Sequence, residues 1–207
     1  MMLVKVCGMR DAENIREVEA LGIDWLGMIF WPHSKRYVAQ RPAYLPEHAK
    51  RVGVFVDTTI EDIMKHVEDY GLDLIQLHGS ESPKFVNVLR SATNLPIIKA
   101  FNIAMANDFL QTVPYEGAVD YFLFDTKGKS VGGNGEKFDW SVLADYHGET
   151  PFILSGGIGP GDAERLKSFH HKKCVGIDLN SRFEAVPALK DITRIELFLE
   201  QLNKTEL

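Results

Sequence analysis

Cysteine is scarce, cationic charge is not in excess, and no long apolar run occurs. The chain of 207 residues holds only 2 cysteines, Cys7 and Cys174, too few to suggest a disulfide framework at this length. The opening segment, Met1 to Val6, lacks a basic leader followed by an apolar stretch and a cleavage site. No apolar run approaches the roughly 20 residues needed to cross a bilayer. Together these absences predict a cytoplasmic protein with no membrane partner. Lys and Arg total 23 against 29 Asp and Glu, for a formal net charge of −6. That disfavours nucleic acid as the main partner, because phosphate backbones select clustered cations; a small anionic substrate needs only a few local ones. The remaining histidines show no metal-ligand spacing, so no metal is expected. No linker or low-complexity tract marks a boundary, and residues 1–207 read as one domain.

What is present is alternation. Hydrophobic residues make up 45% and charged residues 25% of the chain, the profile of a globular protein. Short apolar runs rich in β-branched residues predict eight strands: Leu3 to Val6, Asp24 to Phe30, Arg51 to Val56, Asp73 to Leu77, Pro96 to Phe101, Val119 to Phe124, Pro151 to Leu154 and Val175 to Leu179. Helical patterns fall between them, at Asp11 to Leu21, Thr59 to Tyr70, Ser82 to Ala92, Asp162 to Phe169 and Thr193 to Leu202. Asp11 and Thr59 suit helix starts and Gly22 and Gly71 suit helix ends, while Pro83 fits a first helical turn behind Ser82. Strict β-then-α alternation implies parallel strands with crossover helices. Eight units of about 26 residues match the lower size range of a (β/α)₈ TIM barrel. An open doubly wound sheet is the alternative, but no G-x-G-x-x-G follows the first strand.

In such a barrel, reactive groups stand at the C-terminal ends of strands. Strand one ends Lys5-Val6-Cys7-Gly8. Alternation puts Lys5 and Cys7 on one face, expected to point into the barrel, and Val4 and Val6 on the other, against helices. Cys7 is either a small buried hydrophobe or a reactive thiol that Lys5 could bias towards thiolate. Asp125 ends an apolar run, either as a turn or cap residue or as an acid whose protonated form is favoured by partial burial. Ser155 to Gly159 and Asp178 to Ser181 end strands seven and eight, whose loops commonly take phosphate in this fold. Arg36, after strand two, is either a two-point carboxylate clamp or a solvated cation. His78 ends strand four as a site residue or a satisfied core histidine. Cys174 begins strand eight at the opposite rim and reads as packing. A Gly-rich loop over residues 126–138 follows strand six, on the face where function concentrates.

Taken in order, these segments resemble the phosphoribosylanthranilate isomerase family over nearly the whole chain. The resemblance rests on K-x-C-G at Lys5 to Gly8, P-x-S-x-R-Y at Pro32 to Tyr37, V-G-V-F-V at Val52 to Val56 and Q-L-H-G at Gln76 to Gly79. It continues through the strand ending in Asp125, G-G-x-G…F-D-W at Gly132 to Trp140, S-G-G-I at Ser155 to Ile158 and the Asp178 strand. It implies an isomerase of tryptophan biosynthesis that converts an aminoaldose to an aminoketose without metal or organic cofactor. Cys7 would be the general base and Asp125 the general acid. Arg36 would engage the anthranilate carboxylate, and His78 and Asp178 would line the pocket. Gly156, Gly157, Asn180 and Ser181 would bind phosphate. The partner is then a small phosphosugar-anthranilate molecule, and the enzyme a monomer or homodimer. Three departures bear on the phosphate end: Asn134 where the family has Thr, Arg182 where it has Gly, and Pro187-Ala188 for a Pro-Gly pair. Rival readings are another phosphosugar barrel enzyme, such as a ribulose-phosphate epimerase or the histidine-pathway isomerase, and a non-catalytic phosphometabolite-binding barrel.

Overall fold

A computed structural model describes residues 2–126 and 140–203. Almost all of the expected Gly-rich loop, with Asn134, lies outside the described residues. Eight parallel strands close into a barrel in sequence order: β1 (Leu3–Cys7), β2 (Trp25–Ile29), β3 (Lys50–Phe55), β4 (Leu74–Leu77), β5 (Ile97–Ile103), β6 (Tyr121–Thr126), β7 (Phe152–Ser155) and β8 (Cys174–Leu179). The seam is β1 on β8, with Lys5 opposite Asp178. The expected TIM barrel is the fold, not an open sheet.

The two faces of β1 divide as the alternation predicts. Val4 and Val6 pack with Ile15 and Val18 in the layer between strands and helices. Cys7 belongs to a separate interior cluster with Trp25, Val52, Val54, Leu74, Ile98, Ala100, Leu123 and Ile153. Lys5 shares that interior and is fully buried.

Helix starts follow local chemistry. Asp11, Thr59 and Ser82 accept the N–H groups of Asn14, Asp62 and Phe85 at the heads of α1 (Ala12–Ala20), α2 (Ile60–Tyr70) and α3 (Pro83–Ala92). Gly71 stops α2 in the left-handed conformation, φ 57°, where a side chain would be strained. Shorter α4 (Ala163–Ser168) and the terminal α5 (Ile192–Asn203) complete the helices.

Strict alternation does not hold. Connections after β5 and β6 carry 3₁₀ segments, Ala106–Tyr115 and Trp140–Asp145. No helix joins β2 to β3, where Pro32, Pro42 and Pro46 interrupt any helical ladder. That connection is pinned by a side chain instead. Glu19, on α1, accepts the backbone N–H groups of Glu47, His48 and Ala49 at 2.8, 2.7 and 2.8 Å on one oxygen, and the Tyr44 hydroxyl on the other.

Acids recur at the opposite rim from the site. Asp24, Asp73 and Asp120 each precede an even-numbered strand and accept the N–H of Val4, Arg51 and Ile97 at the start of the strand before it, at 2.8, 2.8 and 2.7 Å. Each donor is the first or second residue of its strand, where the sheet ladder leaves it unpaired. Beyond β8 the sequence holds an unanticipated hairpin, β9 (Glu184–Val186) against β10 (Leu189–Lys190). Its turn places Ala188 at φ 69°, a left-handed position that explains why a Pro-Gly pair suits this turn.

Removing the carboxylate of Glu19 strands three backbone donors. Glu19→Ala is expected to lower unfolding free energy by about 3 kcal/mol, read from urea denaturation; a change under about 0.5 kcal/mol refutes the pinning role.

Candidate active site

The C-terminal strand ends enclose a cavity of about 380 Å³ whose walls include Cys7, His78, Asp125, Ser155, Gly156, Gly157, Asp178, Asn180 and Ser181. Eight residues expected at the site therefore face one space, contributed by β1, β4, β6, β7 and β8. A second cavity of about 310 Å³ adjoins it through His78 and Asp125 and runs past Lys99, Asn102, Gln111 and Tyr115. Arg36 stands outside this lining. Its Nε and Nη2 donate to the two oxygens of Glu184 at 2.7 and 2.6 Å, so it is not a solvated loop cation.

Under Cys7 lies a buried ion pair. Lys5 Nζ donates to Asp178 Oδ1 at 2.8 Å, and Ser155 Oγ donates to Asp178 Oδ2 at 3.2 Å. Gly27 makes room for this stack, since a Cβ there would sit 2.9 Å from the Cys7 sulfur and 3.2 Å from Lys5 Nζ. Burial is the largest single influence on the Lys5 ammonium and pushes it towards neutrality, but the charges of Asp178 and Cys7 and the hydrogen bonds to both together outweigh it and hold its pKa above the ordinary lysine value. The same burial pushes the Cys7 thiol up; Lys5, and more weakly Lys190, pull it down without reversing the shift. Of the two readings open for Cys7, a thiol biased towards thiolate by Lys5 or a thiolate present only as a minority, the balance favours the second: desolvation of a sulfur anion in the barrel interior outweighs one cation already paired with a carboxylate.

His78 opens to solvent through the cavity mouth, yet protein packs round its ring. Desolvation lowers its pKa, with Asp125 opposing. Gln76 Nε2 lies 2.8 Å from His78 Nδ1; an amide nitrogen can only donate, so Nδ1 accepts and the ring is neutral. His78 is a cavity residue, not a core histidine. Gln76, itself buried, is the group that orients it, and Gln76 Oε1 has no hydrogen-bond partner among the described residues.

Gly156 and Gly157 adopt φ 89° and 68° in succession. A Cβ on Gly157 would meet nothing within 4 Å, so conformation and not space requires glycine there. Arg182 lays its stem over Gly159, its Cδ 2.9 Å from where a Cβ would stand, which carries a cation from the β8 loop onto the β7 loop. Cys174 lies at the far rim, half-buried, its pKa pushed to about 11 by burial. No group of three or more His, Cys, Asp or Glu suited to a metal exists among the described residues, and no described helix is long and apolar enough to cross a membrane.

Reading residues singly missed Glu184 and Lys190. Lys190 is buried, with Nζ 2.7 Å from Glu184 and 2.9 Å from Asn180 Oδ1. An acid and a lysine six positions apart at the two ends of a short hairpin look like surface charge; only closure of the hairpin over the β1 end turns them inward.

A closed parallel barrel with its ionisable groups gathered at the strand C-termini defines a (β/α)₈-barrel enzyme. The profile of the N-(5'phosphoribosyl)anthranilate (PRA) isomerase family matches residues 4–201. A relative from Parabacteroides distasonis, called N-(5'-phosphoribosyl)anthranilate isomerase, is 50% identical over 97% of this chain and 93% of its own. The crystal structure of phosphoribosyl anthranilate isomerase from Thermotoga maritima aligns with TM-score 0.81 and 28% identity over 98% of both chains. Another isomerase of this name, in complex with reduced 1-(o-carboxyphenylamino)-1-deoxyribulose 5-phosphate, aligns with TM-score 0.79 and 27% identity over 98% of both chains. The chain belongs to the N-(5'phosphoribosyl)anthranilate isomerase family.

The raised thiol has a direct readout. Alkylation of Cys7 by iodoacetamide follows the thiolate, so its rate should be low at pH 7 and still climbing above pH 9, followed by mass spectrometry. A plateau reached below about pH 8 contradicts the dominance of burial over Lys5.

Proposed function

We propose that this enzyme catalyses the Amadori rearrangement of N-(5-phosphoribosyl)anthranilate to 1-(2-carboxyphenylamino)-1-deoxyribulose 5-phosphate, a step of tryptophan biosynthesis, with Cys7 as base and Asp125 as acid. The observation that carries this reading is the shared cavity: a thiol from β1 and a carboxyl from β6 line one space of about 380 Å³, a size suited to one small sugar derivative.

Asp125 gives its proton to the furanose ring oxygen. The ring C–O bond breaks as the anilino nitrogen lone pair forms the iminium. Cys7, as thiolate, removes the proton from the adjacent sugar carbon, and that electron pair makes the carbon–carbon double bond of an enolamine while the nitrogen regains its lone pair. Tautomerisation then gives the ketone. The iminium is the electron sink, so the scheme calls for no cofactor. With the thiol pKa raised, the reactive thiolate is a minority species that forms beside Lys5. A substrate-bound site, in which the iminium adds positive charge, favours that thiolate further.

Neutral His78 and paired Asp178 shape the pocket without contributing net charge of their own. Gly156, Gly157, Asn180 and Ser181 are assigned to phosphate, with Arg182 as an added cation at that end. Arg36, through the edge of its guanidinium that Glu184 leaves open, is assigned to the anthranilate carboxylate.

Loss of anthranilate-adduct fluorescence on adding enzyme tests the activity; no change would favour a binding barrel without turnover. Cys7→Ala and Asp125→Asn should each reduce kcat by at least about a hundredfold, with much smaller effects on KM. Retention of more than about a tenth of wild-type turnover removes that residue from its role. Arg182→Ala should raise KM by about threefold to tenfold with kcat held, as expected for one charged contact to phosphate; an unchanged KM removes Arg182 from the phosphate end.

A further inference from the structure

We propose that Glu184, clamped by Lys190, is a positioning residue that holds Arg36 in the orientation that reads the substrate's aryl carboxylate. The proposal rests on the reading of Arg36 as the aryl-carboxylate contact and deepens it. Glu184 meets Arg36 through a two-point contact on the Nε–Nη2 edge, at 2.7 and 2.6 Å. A planar guanidinium held along one edge has its whole plane fixed. Nη1 makes no hydrogen bond among the described residues, which leaves that corner of the guanidinium for a second carboxylate.

Glu184 is itself fixed. Its Oε1 also accepts the Lys190 ammonium at 2.7 Å and the Ala188 N–H at 3.1 Å. Lys190 is buried and held at its main chain, whose carbonyl and N–H exchange two hydrogen bonds with buried Asn14 at 2.9 and 2.7 Å. Its third contact, at 2.9 Å, ties down Asn180 Oδ1, which leaves the Asn180 amide N–H groups to face the cavity that Asn180 lines. Gly8 is the floor of the arrangement: a Cβ there would stand 2.5 Å from Arg36 Cδ and 3.1 Å from Asn180 Oδ1. Two cations and one carboxylate leave the cluster one unit positive, the balance that suits one incoming carboxylate. A resident anion that merely cancelled Arg36 would need no lysine beneath it.

The test is steady-state kinetics with N-(5-phosphoribosyl)anthranilate on Glu184→Gln, Arg36→Ala and the double variant, with melting temperature recorded for each. Glu184→Gln should raise KM about tenfold or more, the size of one charged hydrogen bond, while kcat stays within about threefold and its pH profile is unchanged. In the Arg36→Ala background the same substitution should add less than about twofold, because its effect passes through Arg36. An unchanged KM for Glu184→Gln at a lowered melting temperature overturns the proposal in favour of a structural ion pair. Equal KM effects in both backgrounds overturn it as well. If Arg36→Ala leaves KM unchanged, the carboxylate reading fails and takes the proposal with it; if only Arg36→Ala raises KM, the carboxylate reading survives alone. Should Glu184→Gln not fold, Glu184→Asp keeps the charge but is too short for the two-point grip. A raised KM there supports positioning, and a wild-type KM rejects it.

Discussion

The site is organised around a buried charge pair at the floor of the cavity. Lys5 from β1 and Asp178 from β8 meet at 2.8 Å across the seam where the barrel closes, and Ser155 brings β7 into the same contact. Three strands separated widely in sequence thereby share one hydrogen-bonded unit. Such a pair gives little net stability over an apolar substitute, because desolvation offsets most of the attraction. What it does give is register: either partner alone would be an uncompensated charge in a dry interior, so strands seven, eight and one are held in the alignment that unites them. The Cys7 sulfur rests directly above, and its protonation is set by that unit and by its burial.

Ionisable groups at the mouth are arranged in pairs, not as a field of one sign. Lys5 is matched by Asp178, and Arg36 and Lys190 share Glu184, whose carboxyl is held at a pKa of about 2: burial opposes ionisation, but the hydrogen bonds from both cations prevail. His78, flanked by Asp125 and supported by Gln76, stays neutral. The cavity thus presents donors already oriented by a second layer of partners. That is the property expected where geometry must be held to fractions of an ångström for proton transfer. It also explains why a chain of net charge −6 can host an anionic ligand: local pairing, and not overall charge, decides the potential at the mouth.

Regularity decreases outward from the strands. The barrel is uniform, while its outer layer substitutes a 3₁₀ segment after β5 and a helix-free connection after β2 for helices. Carboxylates do the work of the missing ladder bonds, buried Glu19 for the β2–β3 connection and exposed Asp24, Asp73 and Asp120 at the lower rim. One acid accepting several backbone donors is a compact way to fix irregular chain, and proline content, as at Pro32, Pro42 and Pro46, marks where it is needed.

Much of this was legible in the residues taken in order. Short apolar runs rich in β-branched residues located all eight strands, and alternation along the first assigned Val4 and Val6 to the helices and Lys5 and Cys7 to the interior. Asp11, Thr59, Ser82 and Gly71 announced helix ends because capping is a local interaction between near neighbours. Strand ends singled out Cys7, His78, Asp125, Gly156, Gly157, Asp178, Asn180 and Ser181, because a parallel barrel directs all its C-termini to one rim. Tertiary structure alone decided the rest. Whether Lys5 frees the Cys7 proton depends on desolvation against pairing, which depends on Asp178 lying 173 positions away in the chain. Arg36 and Glu184 are separated by 148 positions, and no spacing rule connects them. Local sequence fixes conformations through neighbours a few residues apart; the balance of charge and burial at a site is a property of contacts that exist only after the barrel has closed.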